Sequence, residues 1–367
     1  MFNYELVLVI LSLVSAIAVC SIILPVIVKI ASLSKSEYNS VSVNTNGKVY
    51  RSLLGGAGVA LALIITFALT GKHGEINSYP FLVAGLSLIF LIDLEDDFIF
   101  FQKFEKKIIQ ILSASLIVIF GNLGLYNLNG FLGIYELPWL AGTTLSIIVV
   151  CTIMNLMIKL NENETLAAGI GLIGSFIFSL WFWSFKFYTL ALFGFIFSGA
   201  LIGYLIYNSN SLKIGLGNSG AYAIGFLLSF LMLQFINVNS NVVSGPLMKN
   251  AHIFAFSILL IPAVDSFRIG YMKVFKKYSS FKTGKNTFYF QLLQTGMNRN
   301  LAAFVFLIVS LILIGLAYLL NVFEVNLYSV ILILISISII SNIKKILLAL
   351  ISVRLRSFFD KQAVLQD

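Results

Sequence analysis

From Leu6 to Val28 the chain runs 23 residues without a charged side chain. As a helix rising about 1.5 Å per residue, this stretch covers roughly 35 Å, slightly more than the ~30 Å hydrocarbon core of a bilayer. Ten further apolar runs follow. The eleven runs cover about 4–30, 54–70, 80–95, 108–121, 138–158, 166–183, 188–207, 220–236, 251–267, 301–320 and 327–350. Only 11% of the 367 residues are charged and 59% are hydrophobic, whereas soluble domains carry about a quarter charged residues. This excludes a disordered chain, a collagen, a disulfide scaffold and a soluble enzyme of one or two domains. The expectation is an all-α polytopic membrane protein of about eleven transmembrane helices, forming a single transmembrane domain over residues 1–367. The N-terminal segment lacks a basic lead region and a small-residue cleavage site, so it is expected to be the first span rather than a removable signal peptide.

The basic residues orient the spans. With the N-terminus outside and the C-terminus inside, 21 of the 24 Lys and Arg fall on the cytoplasmic side, leaving Lys72, Lys186 and Lys249 outside. That asymmetry is the positive-inside pattern, and it accounts for the net charge of +9 without nucleic acid. The expected cytoplasmic loops are about 31–53, 96–107, 159–165, 208–219 and 268–300. The last carries seven basic residues from Arg268 to Arg299, which suit either anionic lipid or an anionic substrate such as a nucleotide or lipid phosphate. Cys20 and Cys151 both lie in apolar runs and indicate neither a disulfide nor a metal site. His73 and His252 lack metal-ligand spacing and are expected on or near the outer side. Trp181, Trp183 and Tyr188 are expected in an interfacial belt. No solenoid repeat or inverted-repeat pattern is visible, which disfavours a secondary transporter.

Acidic residues are scarce, and four of them, Asp93, Glu95, Asp96 and Asp97, cluster at the inner end of the third run. They suit either a solvated helix end, countered by Lys103, Lys106 and Lys107, or an oxygen-ligand site for a hard cation such as Mg²⁺. Further polar islands are Lys48–Gly58 with its Gly-Gly pair, Asn155–Gly169, Lys213–Gly225, and the segment that begins at Pro262 and Asp265. Glycines in the third of these allow tight turns and close backbone approach to a ligand. All fall on the expected cytoplasmic face and suggest one site at the inner leaflet, unlike a channel, whose polar residues line the spans.

In this order, the motifs resemble the polyprenyl-phosphate N-acetylhexosamine-1-phosphate transferases, of glycosyltransferase family 4 type, from about Arg51 to Gly296. Asp96, Asp97, Lys106 and Gln110 match that family's Asp-Asp pair and the Lys and Gln that follow it. Asn155–Gly169 matches its next motif in length, in Asn155 and in the closing Leu-Ala-Ala-Gly, with Ile158 at its second Asn and with Asn161 and Glu164 at its aspartates. In Gly217-Asn218-Ser219-Gly220-Ala221 the family's metal-binding Asp is Asn218. Pro262 and Asp265 match a P-x-x-D segment. Leu292, Leu293 and Gly296 match the frame of a His-rich motif whose histidine positions hold Thr287, Tyr289 and Phe290.

The resemblance implies transfer of a sugar-1-phosphate from a UDP-sugar to a polyprenyl phosphate, with Mg²⁺ and release of UMP, in cell-envelope synthesis at the cytoplasmic face of a bacterial-type inner membrane. It implies Asp96, Asp97 and Glu164 as catalytic residues, Lys106, Asn155 and Asn161 on the substrate, and Asp97 with Asn218 on the metal, at weakened affinity or none. Lys285 and Asn286 are candidates to support the diphosphate in place of the missing histidines. A non-catalytic homologue that binds lipid phosphate or serves as a scaffold in a membrane complex is the alternative. It rests on the combined replacements at Asn161, Asn218, Thr287, Tyr289 and Phe290.

Overall fold

The computed structural model describes residues 2–33, 55–70, 76–91, 103–131, 134–161, 163–209, 214–240, 248, 250–275, 287–322, 332 and 334–337. Its elements are α1 (Phe2–Leu33), α2 (Gly55–Thr70), α3 (Tyr79–Leu91), α4 (Lys103–Ser115), a π-helical turn (Leu116–Phe120), β1 (Asn127–Phe131), β2 (Ile134–Glu136), α5 (Trp139–Leu160), α6 (Glu164–Ser184), α7 (Tyr188–Ser209), α8 (Gly217–Ser240), α9 (Ala251–Ser257), α10 (Leu260–Phe275), α11 (Phe288–Gln294) and α12 (Arg299–Val322). Six helices, α1, α5, α6, α7, α8 and α12, are long and apolar enough to cross a membrane. The count becomes seven if α9 and α10 form one broken span, and α2 and α3 are shorter apolar helices. This is an α-helical, polytopic integral membrane protein. The run at 327–350 lies almost wholly outside the described residues.

The fold divides into two compact units, Met1–Ala255 and Phe256–Asp367. In the first, α8 is the central helix. Nearly all its residues are buried, as expected of a helix apolar all round. Around it pack α2, α3, α5 and α6, with α1 and α7 completing the layer. Lipid gives helices no hydrophobic reason to associate, so close backbone contact through small residues does that work. On α1, Ser12, Ala16, Cys20 and Leu24 form a buried seam at a spacing of four, while Val7, Ile10, Leu11, Val14, Ile22 and Val26 stay exposed. The seam faces the glycines of α7: a Cβ on Gly199 would lie 2.6 Å from the Leu13 carbonyl oxygen, and one on Gly203 would lie 2.9 Å from Cys20 Cβ.

The pairing of α1 with α7 in the same direction, and of Leu24 with Gly58 on α2, defines two ends of this unit. At the glycine end α1, α3, α5 and α7 finish while α2, α4, α6 and α8 start. At the opposite, tryptophan end sit Trp139, which opens α5, and Trp181 and Trp183, which close α6. There Gln234 Nε2 donates to Ser78 Oγ at 3.0 Å, and Asn239 exchanges two bonds with the Met248 backbone at 2.8 and 2.7 Å.

Two local features depart from expectation. Between the π turn and α5 the chain forms a small antiparallel hairpin, pairing Asn127 with Glu136 and Phe131 with Ile134. It is too short to carry a strand signal of its own. Trp181 is not in an interfacial belt: it is only 9% exposed and packs against Phe182, Phe185, Phe187 and Phe235 at 4.6–6.4 Å between ring centroids. Trp139 is 60% exposed.

In the second unit α11 and α10 each pack on α12, with the Phe288 and Phe306 rings 5.5 Å apart.

Candidate functional site

The glycine end is built from backbone. Every helix begins with N–H groups that have no partner within the helix. At the start of α2 these are Gly55 N–H and Gly56 N–H, which donate to the carbonyls of Gly215 at 2.9 Å and Leu216 at 3.0 Å. Side chains at these positions would prevent the approach: a Cβ on Gly56 would fall 2.0 Å from Gly220 Cα, and one on Gly55 2.6 Å from the Gly215 oxygen. Gly217 then turns the chain into α8 with φ +76°, a left-handed conformation that glycine adopts without strain. Its carbonyl accepts from Asn161 Nδ2 at 3.0 Å.

Three polar islands far apart in sequence therefore meet: the Gly-Gly pair, Asn161 and the Gly215–Gly220 loop. Asn161 is the residue that ends α5, and two residues later Asn163 caps α6 by accepting from Thr165 N at 3.2 Å. The glycines were expected to let backbone approach a ligand. The structure shows Gly56 and Gly220 letting two helices touch, with the carbonyls of Gly215, Leu216 and Gly217 already engaged. The sequence placed the Gly-Gly pair and this loop among the islands expected to converge, but gave no sign that they bond directly through Gly55 to Gly215 and Gly56 to Leu216.

Asn218 follows on the first turn of α8 with its side chain exposed. The starts of α6 and α8 both lie at this junction, and their partial positive charge favours an anion. Asn161 Oδ1 is buried and has no hydrogen-bond partner. Lys106, half-buried, and Gln110, 3% exposed, lie on α4, which begins at the same end. Asn155 is exposed and donates to the Cys151 carbonyl of its own helix at 2.7 Å, so it does not join Asn161. Glu164 is the first residue of α6. Asp93, Glu95, Asp96, Asp97, Lys285 and Asn286 lie outside the described residues, as does His73. His252 is at the tryptophan end, its Nε2 2.9 Å from the Asn127 carbonyl oxygen.

The second unit accounts for the last two motifs. Asp265 Oδ1 pairs with Arg268 Nη2 at 2.8 Å, and its Oδ2 accepts from Phe288 N at 2.8 Å, so the P-x-x-D aspartate anchors the start of α11. Thr287 is the N-cap of that helix, accepting from Phe290 N at 3.3 Å, and Tyr289 donates to the Arg299 carbonyl at 3.4 Å. Gly296, at φ +87°, follows α11 and donates to the Leu293 carbonyl at 3.0 Å. The Leu-Leu-x-x-Gly frame is thus a helix ending in a glycine stop, with Leu292 buried beneath it.

Residues 79–236 match the family model described as glycosyl transferase family 4. That segment contains Asp96, Asp97, Lys106, Asn155, Asn161, Glu164 and Asn218. Curated relatives include the decaprenyl-phosphate N-acetylglucosaminephosphotransferases of Mycolicibacterium smegmatis, 28% identical over 71% of this chain and 68% of that protein, and of Mycobacterium tuberculosis H37Rv, 26% identical over 64% and 62%. The chain is thus similar to the polyprenyl-phosphate N-acetylhexosamine-1-phosphate transferases. The Mycobacterium leprae protein of the same name is 27% identical over 64% of this chain and 63% of its own length. The matches thus span about two thirds of the relatives.

Members of such a family imply a divalent metal, and the described donors test the fit. Mg²⁺ takes hard oxygen ligands, usually including carboxylates. At the glycine end the described candidates are the neutral amides of Asn161 and Asn218, beside helix starts whose field opposes a cation. Among the described residues no three His, Cys, Asp or Glu side chains group together. These donors alone do not fit Mg²⁺, and no step proposed below runs through it.

Proposed function

We propose that this protein transfers a sugar-1-phosphate from a UDP-sugar to a polyprenyl phosphate at the cytoplasmic face of the inner membrane, releasing UMP. An oxygen of the lipid phosphate attacks the phosphorus that carries the sugar. The bond from that phosphorus to the bridging oxygen breaks, and UMP leaves with the electron pair. The chemistry demands positive charge around a crowded diphosphate more than covalent help from the protein. Support comes from one observation above all: the Asn161–Gly217 bond brings the starts of α6 and α8 together within the segment that matches the family. In this reading Asp96 and Asp97 act on the nucleophile side with Glu164 nearby, and Lys106, Asn161, Lys285 and Asn286 hold substrate.

A second reading, a lipid-phosphate-binding or scaffold homologue without turnover, is favoured by Asn218 and by Thr287, a helix cap where the family pattern has histidine. The two readings separate on UMP release from purified protein given polyprenyl phosphate and a panel of UDP-sugars. Release that disappears in Asp97→Asn establishes the transferase. Release no greater than in Asp97→Asn overturns it, and retained binding of polyprenyl phosphate then supports the second reading. Asn218→Asp returns a carboxylate to the start of α8 and is expected to increase the Mg²⁺ dependence of whatever release is seen.

A further inference from the structure

We infer that the start of α8 and the loop before it contribute no ligand to a divalent ion, so that the glycine end carries no tightly held metal. The inference rests on the site assigned above and concerns its charge rather than its turnover. Mg²⁺ keeps a near-octahedral shell of hard oxygens at about 2.0–2.1 Å and is usually held through carboxylates, because it gives up its waters reluctantly. The backbone oxygens of this loop are already committed. The Gly215 carbonyl accepts from Gly55 N–H at 2.9 Å, the Leu216 carbonyl from Gly56 N–H at 3.0 Å, and the Gly217 carbonyl from Asn161 Nδ2 at 3.0 Å. The backbone of α2 also covers the first two. A Cβ on Gly55 would lie 2.6 Å from the Gly215 oxygen, and one on Gly56 would lie 2.9 Å from the Leu216 oxygen. An ion with its remaining waters does not fit where a methyl group does not.

The side chains of the junction add no charge in place of those carbonyls. Asn161 and Asn218 are neutral, and Asn163 uses its Oδ1 to cap α6 by accepting from Thr165 N at 3.2 Å. Asn161 Oδ1 is buried and without a hydrogen-bond partner. It is a single neutral oxygen, and it lies beside the starts of α6 and α8, each of which carries roughly half a positive charge that repels a cation. Asp96, Asp97 and Glu164 are therefore left without the α8 side of a coordination shell. At position 218 a carboxylate would supply that side, and the amide of Asn218 withholds it.

The test is a titration of the purified protein with Mn²⁺ alone, followed by the electron paramagnetic resonance signal of the free ion. Asn218 is exposed, so Asn218→Ala and Asn218→Asp are expected to fold, which their thermal midpoints check. The natural chain is expected to bind Mn²⁺ with a Kd weaker than about 1 mM, unchanged within about twofold in Asn218→Ala. Asn218→Asp is expected to tighten binding by at least about tenfold. A Kd tighter than that limit in the natural chain overturns the inference, and so does weakened binding in Asn218→Ala. Failure of Asn218→Asp to tighten binding also overturns it, because position 218 then does not face the site. No nucleotide or lipid is present in this titration, so it stands apart from the transferase reading, which UMP release decides.

Discussion

Asn161 connects the end of α5 to the start of α8 through a single hydrogen bond, donated by its side-chain Nδ2 to the Gly217 carbonyl. Asn161→Ala removes that donor and is expected to cost about 1–2 kcal/mol, read as a lower thermal midpoint in detergent by circular dichroism. An unchanged midpoint would mean that the junction is held by the Gly55 and Gly56 bonds alone. Asp265 supports a sharper comparison. Its carboxylate bonds both Arg268 and Phe288 N, so Asp265→Ala removes an ion pair and the acceptor of a buried backbone N–H and should cost roughly 2–3 kcal/mol. Asp265→Asn keeps an acceptor for Phe288 N and should cost less. Equal losses would place the whole effect on the Arg268 ion pair. At this scale the sequence singled out the right positions for incomplete reasons. Asn161 and Asp265 stand out as polar residues in apolar surroundings, yet which backbone group each one holds depends on residues 56 and 23 positions away, which no local pattern specifies.

Helices were the most legible elements. Each of the first ten apolar runs overlaps described helix, but only six, or seven with the α9–α10 pair, are long and apolar enough to cross a membrane, where a helix satisfies its own backbone. The hairpin escaped because five- and three-residue strands leave almost no periodic trace. Trp181 proved buried because burial depends on neighbouring helices, which position along a span does not reveal. Glycines in the spans were similarly ambiguous between turn, ligand approach and helix contact. The structure separates them, and substitution tests the separation. Gly56→Ala and Gly220→Ala each force a methyl into the facing helix backbone, at 2.0 and 2.6 Å, and each should cost roughly 2 kcal/mol or more. Gly315 has nothing within 4 Å of an added Cβ on α12. Gly315→Ala should therefore be neutral or stabilise by up to about 1 kcal/mol through helix propensity. Comparable losses at Gly56 and Gly315 in thermal unfolding would show that the α2–α8 contact is looser than the structure has it.

In the first unit most of the described lysines lie toward the glycine end and the three tryptophans at the opposite end. Among its described residues, Lys29, the lysines of early α4 and Lys159 lie toward the glycine end, while Lys186 sits in the turn between α6 and α7 at the tryptophan end. Between Lys159 and Lys186 lies α6, whose 21 residues span about 30 Å, one hydrocarbon thickness. The two lysines should therefore face opposite sides of the membrane. The asymmetry of the basic residues is read from sequence by counting alone. Which loops share an end follows from helix direction, which the structure supplies. Both lysines are exposed, so Lys159→Cys and Lys186→Cys, each with Cys20→Ala and Cys151→Ala, are suitable probes. In intact cells a membrane-impermeant maleimide should label the Lys186→Cys protein and spare the Lys159→Cys protein, and inverted membrane vesicles should reverse the result. Labelling of both from one side would show that α6 does not cross the bilayer. The reverse pattern would keep the crossing but turn the glycine end outward, away from any cytosolic nucleotide-sugar, and so remove the transferase reading with it.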